Sequence, residues 1–219
     1  MVQKENTLFP FPEEIVLSCK VEVDEYIDYI KKVYDYGGGG ETTFTLPSFS
    51  VPDKFSLGVI VGASGSGKTQ ILRHYFDYTE KEYSWNNHIS ILSHFSSPEE
   101  GVTKLMSCGL SSIPVYTKPY RTLSNGERFR AEVARRIGDN AIIDEFTSVV
   151  DREVAKSLSI SISSYIRRTK MQGVVLASCH KDIIEWLEPD WIFDTDKTEM
   201  DYSLVKKTRK RKAKIEIEY

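Results

Sequence analysis

Residues 62–69 read Gly-Ala-Ser-Gly-Ser-Gly-Lys-Thr, and this stretch decides the fold of the chain. It fits the pattern G-x-x-x-x-G-K-[S/T] of a phosphate-binding loop, or P-loop. Glycines let consecutive backbone N–H groups turn towards one phosphate without a clash from a Cβ atom. Lys68 supplies a positive charge for the β- and γ-phosphates, and the Thr69 hydroxyl is suited to ligate Mg²⁺. The predicted nucleotide-binding residues are Gly62, Ala63, Ser64, Gly65, Ser66, Gly67, Lys68, Thr69 and Gln70.

The segments on both sides of this loop support the same interpretation. Residues 57–61 (Leu-Gly-Val-Ile-Val) form a short β-branched run, which predicts a strand. Residues 70–76 have the apolar spacing of a helix. Because a P-loop joins such a strand to such a helix, the motif and its context agree. The sequence therefore predicts a nucleotide-binding domain.

Strands and helices continue to alternate further along the chain. Apolar residues 141–143 and 173–177 predict two strands, and residues 152–170 between them predict a helix. Residues 96–121, which include three prolines, predict short helices and loops. Because helices connect the strands, we expect an α/β fold with a mostly parallel sheet that is covered on both faces.

The N-terminal part predicts an additional antiparallel β layer. Alternate residues from Ile15 to Val23 are apolar, which predicts a half-buried strand, and residues 42–61 also have the pattern of strands. Asp24 is placed to cap a helix that runs to about Tyr34. The predicted apolar face of this helix comprises Ile27, Ile30 and Val33 or Tyr34. Residues 37–40 are four glycines with no strand–helix frame around them, so they predict a turn rather than a second phosphate loop.

The composition indicates a cytoplasmic globular protein. With 40% hydrophobic and 28% charged residues, the chain can bury a core, and no apolar run approaches the length of a membrane span. Residues 1–12 lack the basic-then-apolar order of a signal peptide. Three scattered cysteines without a CxxC pair disfavour a disulfide framework or a structural zinc site.

The charge is concentrated at the C-terminal end. Residues 206–214 contain seven basic side chains, whereas residues 1–205 contain 22 basic and 30 acidic ones and carry a net charge of about −8. One interpretation is a tail that binds nucleic acid or another polyanion. The alternatives are a solubilising tail, or an edge strand formed by the alternating residues 215–218.

Two carboxylates follow the predicted strand at residues 141–143. Such a strand delivers Asp144 to the Mg²⁺ of a nucleotide that is bound by the P-loop. Glu145, the next residue, is then placed to polarise the attacking water as general base.

The segment Leu123-Ser124-Asn125-Gly126-Glu127 precedes a predicted helix. Ser124 and Glu127 have the S-x-x-E spacing of a capping box, so one interpretation is an ordinary helix N-terminus. The functional interpretation is that the helix N-terminus, the Ser124 hydroxyl and a closely approaching glycine suit a γ-phosphate. The position of this segment 20 residues before Asp144 favours the functional interpretation.

Together these motifs resemble the ATP-binding cassette (ABC) family of ATPases. Residues 123–127 resemble the Leu-Ser-Gly-Gly-Gln signature, with Asn125 and Glu127 as departures. Residues 148–151 (Ser-Val-Val-Asp) resemble the D-loop, and His180 follows the next predicted strand, as the family's switch histidine does. Together with the P-loop, these motifs stand in family order between about residues 55 and 185.

The resemblance implies that ATP is the substrate and Mg²⁺ the cofactor, bound by Thr69 and Asp144, with Lys68, Glu145 and His180 as catalytic residues. It further implies a homodimer in the ATP state, in which each P-loop faces the partner's residues 123–127. Ser148 and Asp151 would connect the two sites across the interface.

Two departures from the family pattern disfavour a transporter subunit and a membrane partner. The family's glutamine between P-loop and signature is absent, and Ser93 or His94 stands near its place. Only 53 residues separate Thr69 from Leu123, fewer than we expect of a transporter cassette. A separate question is which aromatic residue stacks on adenine, for which Tyr34, Tyr36 and Phe44 are the candidates.

We therefore expect a single ABC-type domain over residues 1–219, with a core lobe at about 1–92 and 139–205, a reduced helical lobe at about 93–138 and a basic tail at 206–219. The first hypothesis is a free-standing Mg-dependent ATPase that acts as a clamp or switch on DNA, RNA or a protein partner. The alternatives are the ATP-binding subunit of a membrane transporter and a non-hydrolysing scaffold, and the presence of the catalytic residues disfavours the scaffold.

Overall fold

The computed structural model describes residues 8–10, 15–38, 40–80 and 83–201. The strands are β1 (Leu8–Pro10), β2 (Ile15–Lys20), β3 (Glu41–Leu46), β4 (Ser50–Pro52), β5 (Leu57–Val61), β6 (Ile142–Ile143), β7 (Val174–Ser178), β8 (Trp191–Asp194) and β9 (Glu199–Asp201). The α-helices are α1 (Glu25–Tyr34), α2 (Lys68–Tyr75), α3 (Pro98–Ser107), α4 (Ile113–Tyr116), α5 (Asn125–Arg136), α6 (Arg152–Thr169) and α7 (Ile183–Leu187). Two 3-10 helices cover Ile91–His94 and Tyr120–Thr122.

A five-stranded sheet in the order β6-β7-β5-β8-β9 forms the centre of the fold. The first four strands are parallel, and β9 runs antiparallel to β8. Successive residues of a strand face opposite sides, so Val59 of β5 packs into a core cluster with α3, α5 and α6, whereas Ile60 packs into a second cluster with α2. This arrangement confirms the predicted parallel sheet with helices on both faces.

Two pairs of antiparallel strands, β1 with β4 and β2 with β3, form the predicted N-terminal β layer. The predicted extent of the β2 strand was wrong at its end. The strand stops at Lys20, and Val21 and Val23 are exposed beyond it. Val21 N–H still donates to the Gly40 carbonyl at 2.6 Å, in the register of the β2–β3 pair, and α1 begins shortly afterwards at Glu25.

Helix α1 begins and ends as predicted, but its predicted apolar face is not buried. The Asp24 carboxylate accepts from the N–H groups of Tyr26 and Ile27, which is the geometry of an N-cap. Ile30 and Val33 nevertheless remain 44% and 53% exposed. The apolar periodicity therefore predicts helix α1 correctly, but its apolar face does not pack against the core.

Short helices precede α5, as predicted for residues 96–121. Leu105 of α3 and Val115 and Tyr116 of α4 are buried in the same cluster as the apolar side of α5. The division of the chain into core and helical lobes stays a prediction. The basic residues 206–214 and the alternating residues 215–218 lie outside the described residues. Within the described part, no helix is long and apolar enough to cross a membrane.

Candidate functional site

The P-loop and the predicted residues Asp144, Glu145 and His180 follow the carboxyl ends of parallel strands. Val61 at the end of β5 pairs with Ser178 of β7 and with Asp194 of β8. The residues that follow the strand ends are Gly62 after β5, Asp144 after β6, Cys179 after β7 and Thr195 after β8. In open parallel sheets, ligands bind at this edge, so the topology brings the predicted residues to a place suited to a ligand.

The P-loop has the backbone conformation that its glycines predict. Gly67 has a φ of 89° and is the residue that precedes α2. A Cβ atom at this position would lie 2.3 Å from the Phe44 ring, so glycine is required there by conformation and by space. The loop thus leads directly into the N-terminus of α2, and helix N-termini are suited to bind anions.

Lys68 begins α2 and is only 4% exposed. Its ammonium group donates to the carbonyls of Gly62 and Ala63 at 3.0 and 2.7 Å. Because burying a lysine is costly unless it is hydrogen-bonded, these two carbonyls hold the charge inside the curve of the loop. The positive charge is thus fixed where the motif requires it.

Thr69 and Asp144, the two predicted metal ligands, are in direct contact. The Thr69 hydroxyl donates to a carboxylate oxygen of Asp144 at 2.5 Å. Both are hard oxygen ligands, and Mg²⁺ is commonly bound by one or two such protein groups together with phosphate oxygens and water. The pair therefore fits Mg²⁺ that is held jointly with a nucleotide.

Glu145 lies beside this pair in a strained conformation. Its φ is 52°, in the left-handed region, and its N–H donates to Asp144 at 2.8 Å. Its carboxylate accepts from the Ser148 hydroxyl at 2.5 Å. Left-handed conformations of residues other than glycine are uncommon and cluster at functional sites, and the Ser148 hydroxyl holds the carboxylate of Glu145 in this one.

His180 contacts the same loop through a buried threonine. His180 Nδ1 lies 3.4 Å from the hydroxyl of Thr147, whose φ is 69° and which is fully buried. The His180 N–H donates to the Ser178 hydroxyl at 3.1 Å. The loops after β6 and β7 are therefore connected side by side. Thr147 was not predicted as a site residue, because no local sequence pattern marks a threonine that is buried in a left-handed conformation.

The predicted signature residues begin α5. The Ser124 hydroxyl accepts from the Glu127 N–H at 3.3 Å, and the Glu127 carboxylate accepts from the Ser124 N–H at 2.8 Å, which is a complete capping box. Leu123 is buried, Ser124 and Asn125 are exposed, and Gly126 is half-buried. Among the described residues, no hydrogen bond joins this segment to the P-loop. The helix N-terminus is thus open to solvent.

The predicted D-loop residues have local roles in this chain. Asp151 caps α6 by accepting from Val154 N–H at 2.9 Å, and Ser148 contacts Glu145 as described above. Arg152, the next residue, forms a bidentate pair with Asp182 in the segment after His180. This pair ties the start of α6 to the loop after β7.

Residues 195–196, which belong to none of the predicted motifs, contact the P-loop. Asp196 accepts from the Ala63 N–H at 2.9 Å, and the Thr195 hydroxyl lies 2.6 Å from that of Ser66. A Cβ atom on Gly62 would lie 1.8 Å from Thr195 Oγ1. These contacts join residues about 130 positions apart in the chain, so no local pattern predicts them.

Both candidates for the place of the missing glutamine have local hydrogen-bond partners. His94 Nε2 accepts from the Asn86 N–H and His94 Nδ1 lies 2.9 Å from the Ser90 carbonyl, whereas Ser93 lies 2.8 Å from the Ser90 hydroxyl. Which of the two residues takes the place of the glutamine stays a prediction. In the described part of the chain, no group of three or more His, Cys, Asp or Glu side chains forms a metal site.

Of the three aromatic candidates for adenine stacking, only Phe44 is shown against the P-loop. It is half-buried and contacts Gly67 as described above. Tyr34 and Tyr36 are 70% and 61% exposed on and after α1. Phe44 therefore remains as the candidate that the geometry supports.

Cys108 carries no thiolate chemistry near neutral pH. It is fully buried in the core, and burial raises the pKa of its thiol to about 12. Cys19 and Cys179 are also free thiols, so none of the three forms a disulfide.

Comparison with known proteins gives similarity in structure but not in sequence. No protein-family model matches the chain, and no curated protein matches it. One similar solved structure is the dimeric structure of MJ0796, a bacterial ABC transporter cassette, with 14% identity, a TM-score of 0.52, and coverage of 74% of this chain and 89% of that chain. A second is a dimeric post-hydrolysis state of the ATP-binding cassette MJ0796 bound to ADP and Pi, with 13% identity, a TM-score of 0.52, and coverage of 82% of this chain and 94% of that chain. At these identities the similarity shows the fold.

Proposed function

Because this chain has the fold of an ABC-type P-loop cassette, we propose that it binds ATP with Mg²⁺ and hydrolyses it. The observation that carries this proposal is the contact of Thr69 with Asp144, beside Lys68 and Glu145. These residues come from two separate strand ends, and together they supply the groups that a P-loop ATPase requires. A scaffold that only binds ATP would not require the carboxylate of Glu145 beside the metal ligands.

In the proposed reaction the protein positions charge and a water molecule. Residues 62–67 and Lys68 would bind the phosphates, and Thr69 and Asp144 would hold Mg²⁺, whose charge would offset negative charge on the phosphate oxygens. Glu145 accepts a proton from the attacking water as general base. His180 contacts the γ-phosphate and reports its presence to the loop that contains Thr147.

We propose further that the complete site forms between two copies of the chain. The exposed N-terminus of α5, with Ser124, Asn125, Gly126 and Glu127, is offered to the γ-phosphate of the partner, where the helix dipole and N–H groups stabilise negative charge. The similarity in fold to a cassette whose solved structures are dimers supports this arrangement. Loss of the γ-phosphate removes the shared contact, so hydrolysis reopens the dimer.

The partner that such a clamp acts on is a separate question. The basic residues 206–214 favour a polyanion such as DNA or RNA in the cytoplasm. If substitution of these residues by neutral ones leaves duplex binding and ATPase activity unchanged, the nucleic-acid role is wrong. The second candidate is the ATP-binding subunit of a membrane transporter, because the structural neighbour MJ0796 is a bacterial ABC transporter cassette. Co-purification with a membrane protein would favour it.

The proposed activity is tested by measuring phosphate release and nucleotide binding for the wild type and Lys68→Ala. We expect Mg-dependent ATP hydrolysis by the wild type, and loss of ATP binding in Lys68→Ala, because the buried charge that faces the phosphates is removed. The matched control is Lys156→Met on the exposed side of α6, which we expect to behave as the wild type. Failure of the wild type to bind Mg-ATP would contradict the proposal.

A further inference from the structure

Lys181, the residue after His180, lies between two carboxylates at the end of β8. Its ammonium group lies 2.9 Å from both carboxylate oxygens of Asp194 and 2.8 Å from Asp196. It therefore carries three charge-assisted contacts. The segment after β7 is thereby fastened to the segment after β8.

Asp196 in turn contacts the P-loop backbone. Its other carboxylate oxygen accepts from the Ala63 N–H at 2.9 Å. The hydrogen bond from Lys181 is the main cause that lowers the pKa of Asp196, the Ala63 N–H adds to it, and the Lys68 charge also contributes. Asp196 is thus within electrostatic reach of the lysine that faces the phosphates.

The same segment is fixed to the P-loop by neutral contacts. Thr195 donates from its N–H and from its hydroxyl to the Val61 carbonyl at 2.8 and 3.1 Å, and its hydroxyl also meets that of Ser66. These contacts set the distance between the Asp196 carboxylate and the loop. A negative charge is consequently held beside a loop that is proposed to bind a polyanion.

This placement is electrostatically unfavourable unless the carboxylates are compensated. Lys181, Asp194 and Asp196 together carry a net charge of −1, and without Lys181 they would carry −2. An uncompensated Asp196 would repel the phosphates and compete with them for the charge of Lys68. A side chain that is exposed in part, as Lys181 is at 42%, adds little to folding stability, so a role in the site explains its position better than a role in the fold.

We propose that Lys181 is a positioning residue for nucleotide binding, which holds Asp196 on the Ala63 N–H and neutralises the carboxylates beside the P-loop. The chain from His180 through Lys181 and Asp196 to Ala63 then links the loop after β7 to the phosphate-binding loop. This inference rests on the proposed binding of Mg-ATP and specifies which groups outside the P-loop maintain its affinity.

The test compares Kd for Mg-ATP, KM and kcat in the wild type, Lys181→Met, Lys181→Arg and the double variant Lys181→Met/Asp196→Asn. We expect Kd and KM to rise about fivefold in Lys181→Met, from one uncompensated charge near the phosphates, while kcat stays within about twofold. Lys181→Arg retains the charge and should stay close to the wild type. The double variant has the wild-type cluster charge of −1 and retains an acceptor for the Ala63 N–H, so its Kd should return to within about twofold of the wild type.

Comparing the Kd for Mg-ATP of Asp196→Ala with that of Asp196→Asn gives an independent measurement. Alanine removes the acceptor for the Ala63 N–H, whereas asparagine keeps it, so Asp196→Ala should bind Mg-ATP more weakly than Asp196→Asn. Lys156→Met is the control for the loss of a distant lysine, and melting temperatures show that each variant is folded. The inference is overturned if Lys181→Met binds Mg-ATP as tightly as Lys156→Met, or if the double variant is as weak as Lys181→Met. If the wild type binds no Mg-ATP at all, the proposed function itself fails, which is a separate result.

Discussion

The Thr69 hydroxyl donates to the Asp144 carboxylate across 2.5 Å, although the two residues are 75 positions apart in the chain. Thr69 stands in the first turn of α2, and Asp144 follows the two-residue strand β6. The contact exists because β5 and β6 are both parallel to β7, which brings their carboxyl ends to one edge of the sheet. The sheet thereby assembles the pair of oxygen ligands that the proposed reaction needs.

Asp144→Asn tests the metal role of this pair. The amide keeps an acceptor for the Thr69 hydroxyl but removes the charge that binds Mg²⁺, so we expect ATP hydrolysis to fall about 100-fold or more while the fold is retained. Steady-state phosphate release at several Mg²⁺ concentrations measures the first effect, and thermal unfolding without nucleotide measures the second. Hydrolysis at the wild-type rate in Asp144→Asn would show that Asp144 does not hold the metal.

Gly67→Ala tests whether the P-loop requires glycine at this position for the stability of the fold. A Cβ atom at φ 89° is strained and meets the Phe44 ring, so we expect the free energy of unfolding to fall by about 2–4 kcal/mol. Gly138→Ala is the matched control, because a Cβ atom there would have no neighbour within 4 Å, and we expect a change within about 0.5 kcal/mol. Urea unfolding of the nucleotide-free proteins gives both values. Equal stability of the two variants would contradict the assigned strain.

Substitutions of Ser124 separate helix capping from a role at the phosphate. Ser124→Ala removes the cap and should cost about 1 kcal/mol of stability, whereas Ser124→Asp keeps a good cap and should cost less. For ATP-dependent association we expect the opposite order of the two variants. An aspartate that faces the partner's γ-phosphate adds charge repulsion, so Ser124→Asp should weaken association more than Ser124→Ala. Unfolding curves and ATP-dependent sedimentation are the two measurements. If both variants associate like the wild type, Ser124 acts only as a cap.

The sequence predicted the parts of the fold that have a local cause. Residues 57–61 form β5 without a shift in either boundary, and the Asp24 cap and the Ser124–Glu127 capping box lie where their spacing indicates. Each depends on residues within a few positions of one another. The P-loop in particular combines glycine conformation, strand and helix in one segment, so its sequence nearly determines its geometry.

The remaining features depend on contacts between distant segments. The exposed face of α1 could not be foreseen, because periodicity predicts a helix but not what packs against it. The contact of Asp196 with Ala63 joins residues 133 positions apart, and Thr147, in the loop after β6, contacts His180 33 positions further along the chain. Such relationships arise from the topology of the sheet rather than from any motif.

The most direct test of the central proposal is the oligomeric state of Glu145→Gln in saturating Mg-ATP. This substitution keeps the shape of the side chain but removes the general base, so ATP should stay intact and the two P-loops should remain closed on the partners' Ser124–Glu127 segments. Sedimentation equilibrium should then give a dimer of the 25.1 kDa chain with Mg-ATP and a monomer without nucleotide. A Glu145→Gln protein that binds Mg-ATP and yet remains monomeric would contradict the shared-site account.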